Sequence, residues 1–406
     1  MTTLDFTGTA RMFIRLLYDD YISVMIKRLK QNPELLQTFP GFLVSPTKII
    51  IYFGKTHIVV EYEGPERISA IPSDVGKIFC QSVEHAEIGV ELFDEIIGFP
   101  FGDATSGFRL PLCTTFEDLI LPTNRGLDQL VKLGWNFEAQ DTLMTINGGG
   151  LTLVEGQFAR IVNGFFFDAS ERGLITRHIK WADCFPINRV DCGEIWKIGF
   201  PRDQFKDLAV QDRACSYHVP EDYRFQRLQR INRFIEFYSA PKRTEPEITA
   251  LLGQEDFRFL LTMRFGCINI ISQPLLEWQS EARDAIKPDF ILVQPGGSGD
   301  ICEFKLPHFK SGAVVGRHNR ETFSAEINSY VSQTRVYQEY FDDPNNCRWV
   351  EEKFGIKVYK PTRYLIAGAR SDLKRDERRH IESDHRDLRI LSYEDLVDGV
   401  VAQFYQ

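Results

Sequence analysis

Near residue 300, apolar and polar positions alternate in two short stretches with a period of two, the pattern of strands that bury one face. Residues 289–294 and 300–305 are rich in Phe, Ile and Val, and Pro295, Gly296, Gly297 and Gly299 supply turn chemistry between them. The pattern predicts a β-hairpin. Asp289, Ile291 and Val293 share one face of its first strand. Ile301, Glu303 and Lys305 share one face of the second, with Cys302 and Phe304 turned into the core. Pairing Gln294 with Asp300 would place Asp289 opposite Lys305 and diagonal to Glu303, within reach of both. Asp300 has the opposite parity to Glu303 and is expected at the turn.

The same reading applied to the rest of the chain predicts an amphipathic helix over 10–30 and a hairpin from 48–53 and 56–62. From there to about residue 200, short apolar runs (107–112, 143–146, 151–154, 158–167) broken by Gly, Pro and Asp predict a β-rich α+β region. Residues 221–238 read as a linker helix. Phe225, Leu228, Ile231, Phe234, Ile235 and Tyr238 form its stripe, with Arg224, Arg227, Arg230 and Arg233 beside it. Residues 239–244, SAPKRT, mark the expected boundary between an N-terminal region, 1–240, and a C-terminal domain, 241–406. In that domain the periodicity predicts a helix from 246–252, a strand at 267–272 and then the 289/305 hairpin. A long helix at 322–341, a strand at 362–367, a charged helix at 374–383, a strand at 388–391 and a helix at 393–402 follow. Helix, three strands, helix, strand is a mixed α/β order.

Composition narrows the class. With 406 residues, 43% hydrophobic and 26% charged, the chain has the make-up of a two- or three-domain globular protein, and its 32 phenylalanines suggest aromatic cores. No apolar run reaches a membrane span and no signal pattern opens the chain, so a cytoplasmic protein without membrane attachment is expected. The eight cysteines form no Cys-x-x-Cys pair, which points to neither zinc nor a disulfide framework. A net charge of −9 argues against general stickiness for nucleic acid; any affinity must come from a local surface. In the N-terminal region, Gly148-Gly149-Gly150 lacks a following Gly-Lys-Ser/Thr and is expected to form a hairpin turn. His85 between Glu84 and Glu87 reads as a solvated charged face, and His178 and His218 are isolated.

Two carboxylates and a lysine on one strand face have a chemical use. Carboxylates with waters and phosphate oxygens suit Mg²⁺, and a lysine beside the metal can hold a water or neutralise developing charge. Pro288-Asp289 followed by Glu303-x-Lys305 resembles the PD-(D/E)xK nuclease motif, and Gln333-x-x-x-Tyr337 on the following helix is similar to the auxiliary motif of its RecB-like and λ-exonuclease-like branch. The wider pattern over 245–402 resembles the C-terminal domain of the Shedu anti-phage nuclease family. Its matching pieces are Glu247 before Leu251-Leu252, residues 288–290, 302–307, Gln333/Tyr337, 363–368 and 389–396. The resemblance implies a PD-(D/E)xK restriction-endonuclease-like core, a mixed sheet flanked by helices. It also implies a Mg²⁺-dependent DNA endonuclease or nickase in bacterial defence, with Mn²⁺ as a substitute metal, assembled as a homo-oligomer. Asp289 and Glu303 would then be metal ligands, Lys305 the catalytic lysine, and the Phe304 carbonyl a further ligand. Gln333 and Tyr337 would orient Lys305 or a phosphate, and Glu247, with Glu255 as its competitor, would be the acid of the first helix. The alternative is a nucleic-acid-binding sensor whose nuclease fold does not cleave. The N-terminal region is expected to sense or inhibit.

Overall fold

The computed structural model describes residues 3–4, 6–71, 76–83, 89–101, 108–112, 115–139, 142–143, 149–171, 173–191, 195–199, 202–215, 217, 223–309, 312–316, 322–372, 378, 385 and 387–404. The chain is mixed α/β and divides into two compact units. Met1–Gln129 with Gln140–Glu221 form the first, and Leu130–Ala139 with Asp222–Gln406 the second.

In the first unit, the helix expected over 10–30 forms as Phe6–Leu17 and Ser23–Gln31, joined by one wide turn at Tyr18–Ile22. The hairpin Lys48–Phe53/His57–Glu63 pairs in register Lys48↔Glu63. It joins a sheet dominated by two long antiparallel strands, Ala159–Ser170 and Gly173–Pro186. Gly149 and Gly150 open a strand, Gly149–Leu153, paired in parallel with Phe108–Leu112, so they do not form the expected hairpin turn. Gly148, Glu84, His85, Glu87 and His218 lie outside the described residues. His178 stacks on Phe165 at 3.9 Å and its Nε2 meets Asn163 Oδ1 at 2.8 Å.

This unit also buries ions. Arg160 donates to Asp183 Oδ1 (2.6 Å) and to both oxygens of Asp212 (2.6 and 3.0 Å), while Tyr21, in the wide turn, donates to Asp212 Oδ2 (2.6 Å). Removing the guanidinium would leave two buried carboxylates facing each other uncompensated. Arg160→Ala is therefore expected to cost this unit about 3–5 kcal/mol, read by urea denaturation as an earlier transition.

The second unit is built, among the described residues, on a five-stranded sheet. Its helices are α1 (Tyr223–Ser239), α2 (Glu245–Leu252), α3 (Phe259–Phe265), α4 (Ala325–Asp342), α5 (Pro344–Phe354) and α6 (Tyr393–Val401). Its sheet runs β1 (Asn269–Ser272), β2 (Phe290–Val293), β3 (Gly299–Phe304), β4 (Arg363–Ile366) and β5 (Leu388–Leu391), in that spatial order. β1–β2–β3 is an antiparallel meander, and β4 and β5 add in parallel. Most of the charged helix expected at 374–383 lies outside the described residues.

The expected boundary at 239–244 falls inside this unit, between α1 and α2. The division comes earlier because the α1 stripe packs within it. Phe234 and Tyr238 lie against Tyr393, and Asn232 bonds the N–H and C=O of Asn136 at 2.9 Å each. Two of its arginines are engaged as well: Arg227 lies over the Phe259 ring (4.2 Å) and Arg230 pairs with Asp256 (2.7 Å).

The β2–β3 hairpin has the expected faces with a register two residues away. Leu292 pairs with Asp300 and Phe290 with Cys302. Gln294 is spent closing the loop, donating its N–H to the Ser298 carbonyl (2.8 Å) and accepting from the Gly297 N–H (2.8 Å). Gly297 sits at φ +77°, where glycine is favoured. Asp289 therefore falls opposite Glu303, not Lys305. A shift of two leaves every side chain on its face, whereas a shift of one would have turned the set over. Ile291, Val293 and Ile301 pack under α4 and α5 against Tyr337, Tyr340, Phe341 and Val350. Phe290 and Phe304 lie on the other face, with Phe304 against Tyr393.

Candidate active site

The α4 face of the hairpin changes character at one end, where apolar side chains give way to Asp289, Glu303 and Lys305. Glu303 is the hub. Its Oε1 accepts from Lys305 Nζ (3.1 Å) and Gln333 Nε2 (2.9 Å); its Oε2 accepts from the Tyr337 hydroxyl (3.1 Å) and the Asp289 N–H (3.3 Å). Gln333 and Tyr337 are four apart on α4 and so reach the sheet together. Their helix is oriented by its buried stripe of Ile327, Val331, Thr334, Tyr337 and Phe341. Across the strands, Asp289 Oδ2 accepts the Phe304 N–H at 2.9 Å. All five residues singled out at the hairpin and on α4 thus meet in one cluster. Asp300 points away, bonded to Gln294 and to the Thr362 N–H.

α2 contributes a different acid from the one expected. Glu247 closes a capping box at the N-terminus of α2. It accepts from the Thr244 N–H and hydroxyl (2.9 Å each) and pairs with Arg243. Glu255 is exposed and pairs with Arg258. The acid that reaches the cluster is Glu245, whose Oε2 lies 3.3 Å from Lys305 Nζ. The sequence carried the signal: Thr244-x-x-Glu247 is a capping-box spacing, which assigns Glu247 to the backbone and leaves Glu245 available. Tyr330 was also missed. Its ring centre is 5.7 Å from Lys305 Nζ, and its hydroxyl donates to Glu326 at 3.0 Å.

The electrostatics follow from burial and from the excess of carboxylates. Burial and the facing Glu303 push Asp289 up to about 7, against the opposing pull of the Phe304 N–H and Lys305. Burial alone would lower Lys305, but Glu303, Glu245 and Asp289 outweigh it and raise the ammonium's pKa, so the lysine is held as a cation. Burial and Glu303 raise Tyr337, keeping it a hydrogen-bond donor. Three carboxylates share one ammonium. That imbalance fits a further cation, and Asp289 and Glu303 are the hard oxygen donors that Mg²⁺ takes, usually one or two carboxylates with the rest water and phosphate. Among the described residues no three His, Cys, Asp or Glu side chains form a ready-made metal cage. Glu303 already accepts four hydrogen bonds, so a cation there would take over a lone pair from one of its donors.

A cavity of about 390 Å³ lined by Phe341, Arg348, Lys357 and Tyr359 holds none of these residues. It lies toward the Gly297 end of the sheet, where Lys357 bonds Gly297 and Gly299, away from Lys305.

The geometry coincides with a sequence match. Residues 242–397 match the family model described as Shedu protein SduA, C-terminal. The C-terminal unit belongs to the Shedu family. No curated protein matches the chain. The match runs from just before α2 into α6 and so contains every residue of the Shedu cluster. It leaves out α1, although α1 belongs to the same unit.

Proposed function

We propose that the chain is a Mg²⁺-dependent DNA endonuclease or nickase of a bacterial anti-phage defence system. The observation that carries this reading is the convergence of Asp289, Glu303, Lys305, Gln333 and Tyr337 around one buried carboxylate, within a Shedu-family unit. Asp289 and Glu303 would hold Mg²⁺, which when bound supplies Lewis acidity toward water and phosphate. Lys305, kept cationic, neutralises charge as it grows on the phosphate and holds the attacking water. Gln333 and Tyr337 fix the Glu303 carboxylate so that it does not swing toward Lys305 alone. Glu245 steadies the ammonium as its second carboxylate partner. Water forms the new P–O bond, one P–O ester bond breaks, and the leaving oxygen takes up a proton.

The test is incubation of the full chain with supercoiled plasmid in Mg²⁺ and in EDTA. Relaxed or linear product in Mg²⁺ only is expected; DNA retained without cutting in either would favour a binding module. Glu247→Ala is expected to lower Tm in a thermal melt through the lost cap while plasmid cleavage persists, whereas Glu245→Gln slows cleavage.

The N-terminal unit is read as a restraint on the nuclease. Truncation at residue 240 is a poor test, because it also strips α1 and residues 130–139 from the C-terminal unit. Loosening the first unit from within, with Arg160→Ala, is expected to raise cutting or toxicity. Unchanged activity in a destabilised variant would remove the restraint.

A further inference from the structure

Lys305 lies one residue past the end of β3, where the ladder stops supporting the backbone. Its N–H still bonds the Ile366 carbonyl of β4 at 2.8 Å. On the other side, its carbonyl accepts a hydrogen bond of 2.6 Å from the hydroxyl of Tyr393. Tyr393 is fully buried as the first residue of α6, a helix pinned by the Ser392/Asp395 capping box. Its own N–H bonds the Gly368 carbonyl, and Gly368 in turn bonds Leu306, the residue after the lysine. The ring packs among aromatics, with Phe304 6.0 Å away and Tyr238 and Phe234 of α1 at 4.7 and 6.2 Å.

We propose that Tyr393 is a positioning residue for Lys305: its phenol pegs the lysine's backbone, and the α1 aromatics hold the phenol in place. This rests on the nuclease reading for its catalytic consequence. The physical reason is the softness of everything else that locates the ammonium. A lysine stem has four rotatable bonds, and its ion pairs at 3.1 and 3.3 Å fix a point charge without directing it. The backbone at the strand end is the stiff part, and Tyr393 is what stiffens it. It follows that α1, which the family match leaves out, acts on the lysine through Tyr238.

A buried tyrosine hydroxyl needs a partner wherever it lies, so the test needs a matched control. Tyr340 provides it: its hydroxyl donates to the Glu277 carbonyl at 3.0 Å, in the same unit and away from Lys305. Tyr393→Phe and Tyr340→Phe, each in the full chain, lose the same kind of bond, and similar drops in Tm are expected. The first readout needs neither metal nor activity. It is the acylation rate of the Lys305 amine by a small N-hydroxysuccinimide ester, mapped by mass spectrometry. A several-fold rise in Tyr393→Phe and none in Tyr340→Phe is expected. The second readout is single-turnover plasmid cleavage in Mg²⁺, expected to fall about tenfold or more only in Tyr393→Phe, with DNA affinity unchanged. Tyr238→Leu, which keeps the Tyr393 hydroxyl and removes the aromatic ring beside it, should move both readouts the same way by less. Equal Lys305 labelling in Tyr393→Phe and wild type would overturn the proposal. If labelling responds while wild type cuts no DNA, the positioning role stands and the nuclease reading falls.

Discussion

Lys305→Ala is expected to reduce Mg²⁺-dependent cleavage at least about a hundredfold, the scale of losing a group that acts on the reacting phosphate and water. DNA affinity should change little, because one buried ammonium contributes little to a long phosphate track. The substitution should also destabilise the C-terminal unit. Glu303 and Lys305 are both nearly fully buried, and without the ammonium Glu303, Glu245 and Asp289 face one another with no shared cation. Breaking a buried pair from one side costs about 3 kcal/mol. Urea denaturation in EDTA checks the second effect and a plasmid time course the first. Lys305→Arg is not expected to rescue either, since a planar fork does not fit where a compact ammonium bridges two carboxylates.

Asp289→Asn is expected to abolish cleavage while stabilising the fold, the opposite sign to Lys305→Ala. The amide keeps an oxygen for the Phe304 N–H and removes a charge that burial and Glu303 disfavour. The pH dependence follows from a folded-state pKa raised from 3.8 to about 7. A raised carboxyl contributes stability that is fully present below its unfolded pKa and is lost as pH rises through the folded one. Wild type therefore loses this contribution between pH 3.8 and about 7, and the asparagine variant has none to lose. The stability gap should open across that window and reach about 2–4 kcal/mol above it. Denaturation in EDTA at pH 5 and pH 8 measures it; a gap that stays constant, or a less stable variant, would contradict the placement of Asp289. Added Mg²⁺ should close the gap by stabilising wild type alone, as a ligand of the folded state does.

How much of this was legible in the sequence depends on the range of the interaction. The faces of Asp289, Glu303 and Lys305 were readable because alternation is local and survives a register change of two. The register itself was not, because it depended on Gln294 closing a tighter loop with Ser298 rather than pairing with Asp300. Glu245 is legible from the capping box, which accounts for Glu247, whereas the spacing of Glu247 from Leu251-Leu252 carries no information about which acid faces the sheet. The hydrogen bond from Tyr393 to Lys305 spans 88 positions and left no local trace. In the N-terminal unit, apolar runs indicated strands. Their pairing, with parallel partners such as Phe108–Leu112 and Gly149–Leu153, is non-local and was not readable. Residues 239–244 looked like a boundary by composition, but the α1 stripe packs within the second unit.

Restraint by the N-terminal unit would lower the basal rate of cutting, so the cation gives a more direct test of the cluster than the product. We would titrate Mg²⁺ into the full chain by calorimetry at pH 8, for wild type and Glu303→Gln. The account predicts a saturable binding heat in wild type that is lost in Glu303→Gln. Identical heats in the two proteins, or no binding in wild type, would contradict a metal centre at Asp289 and Glu303.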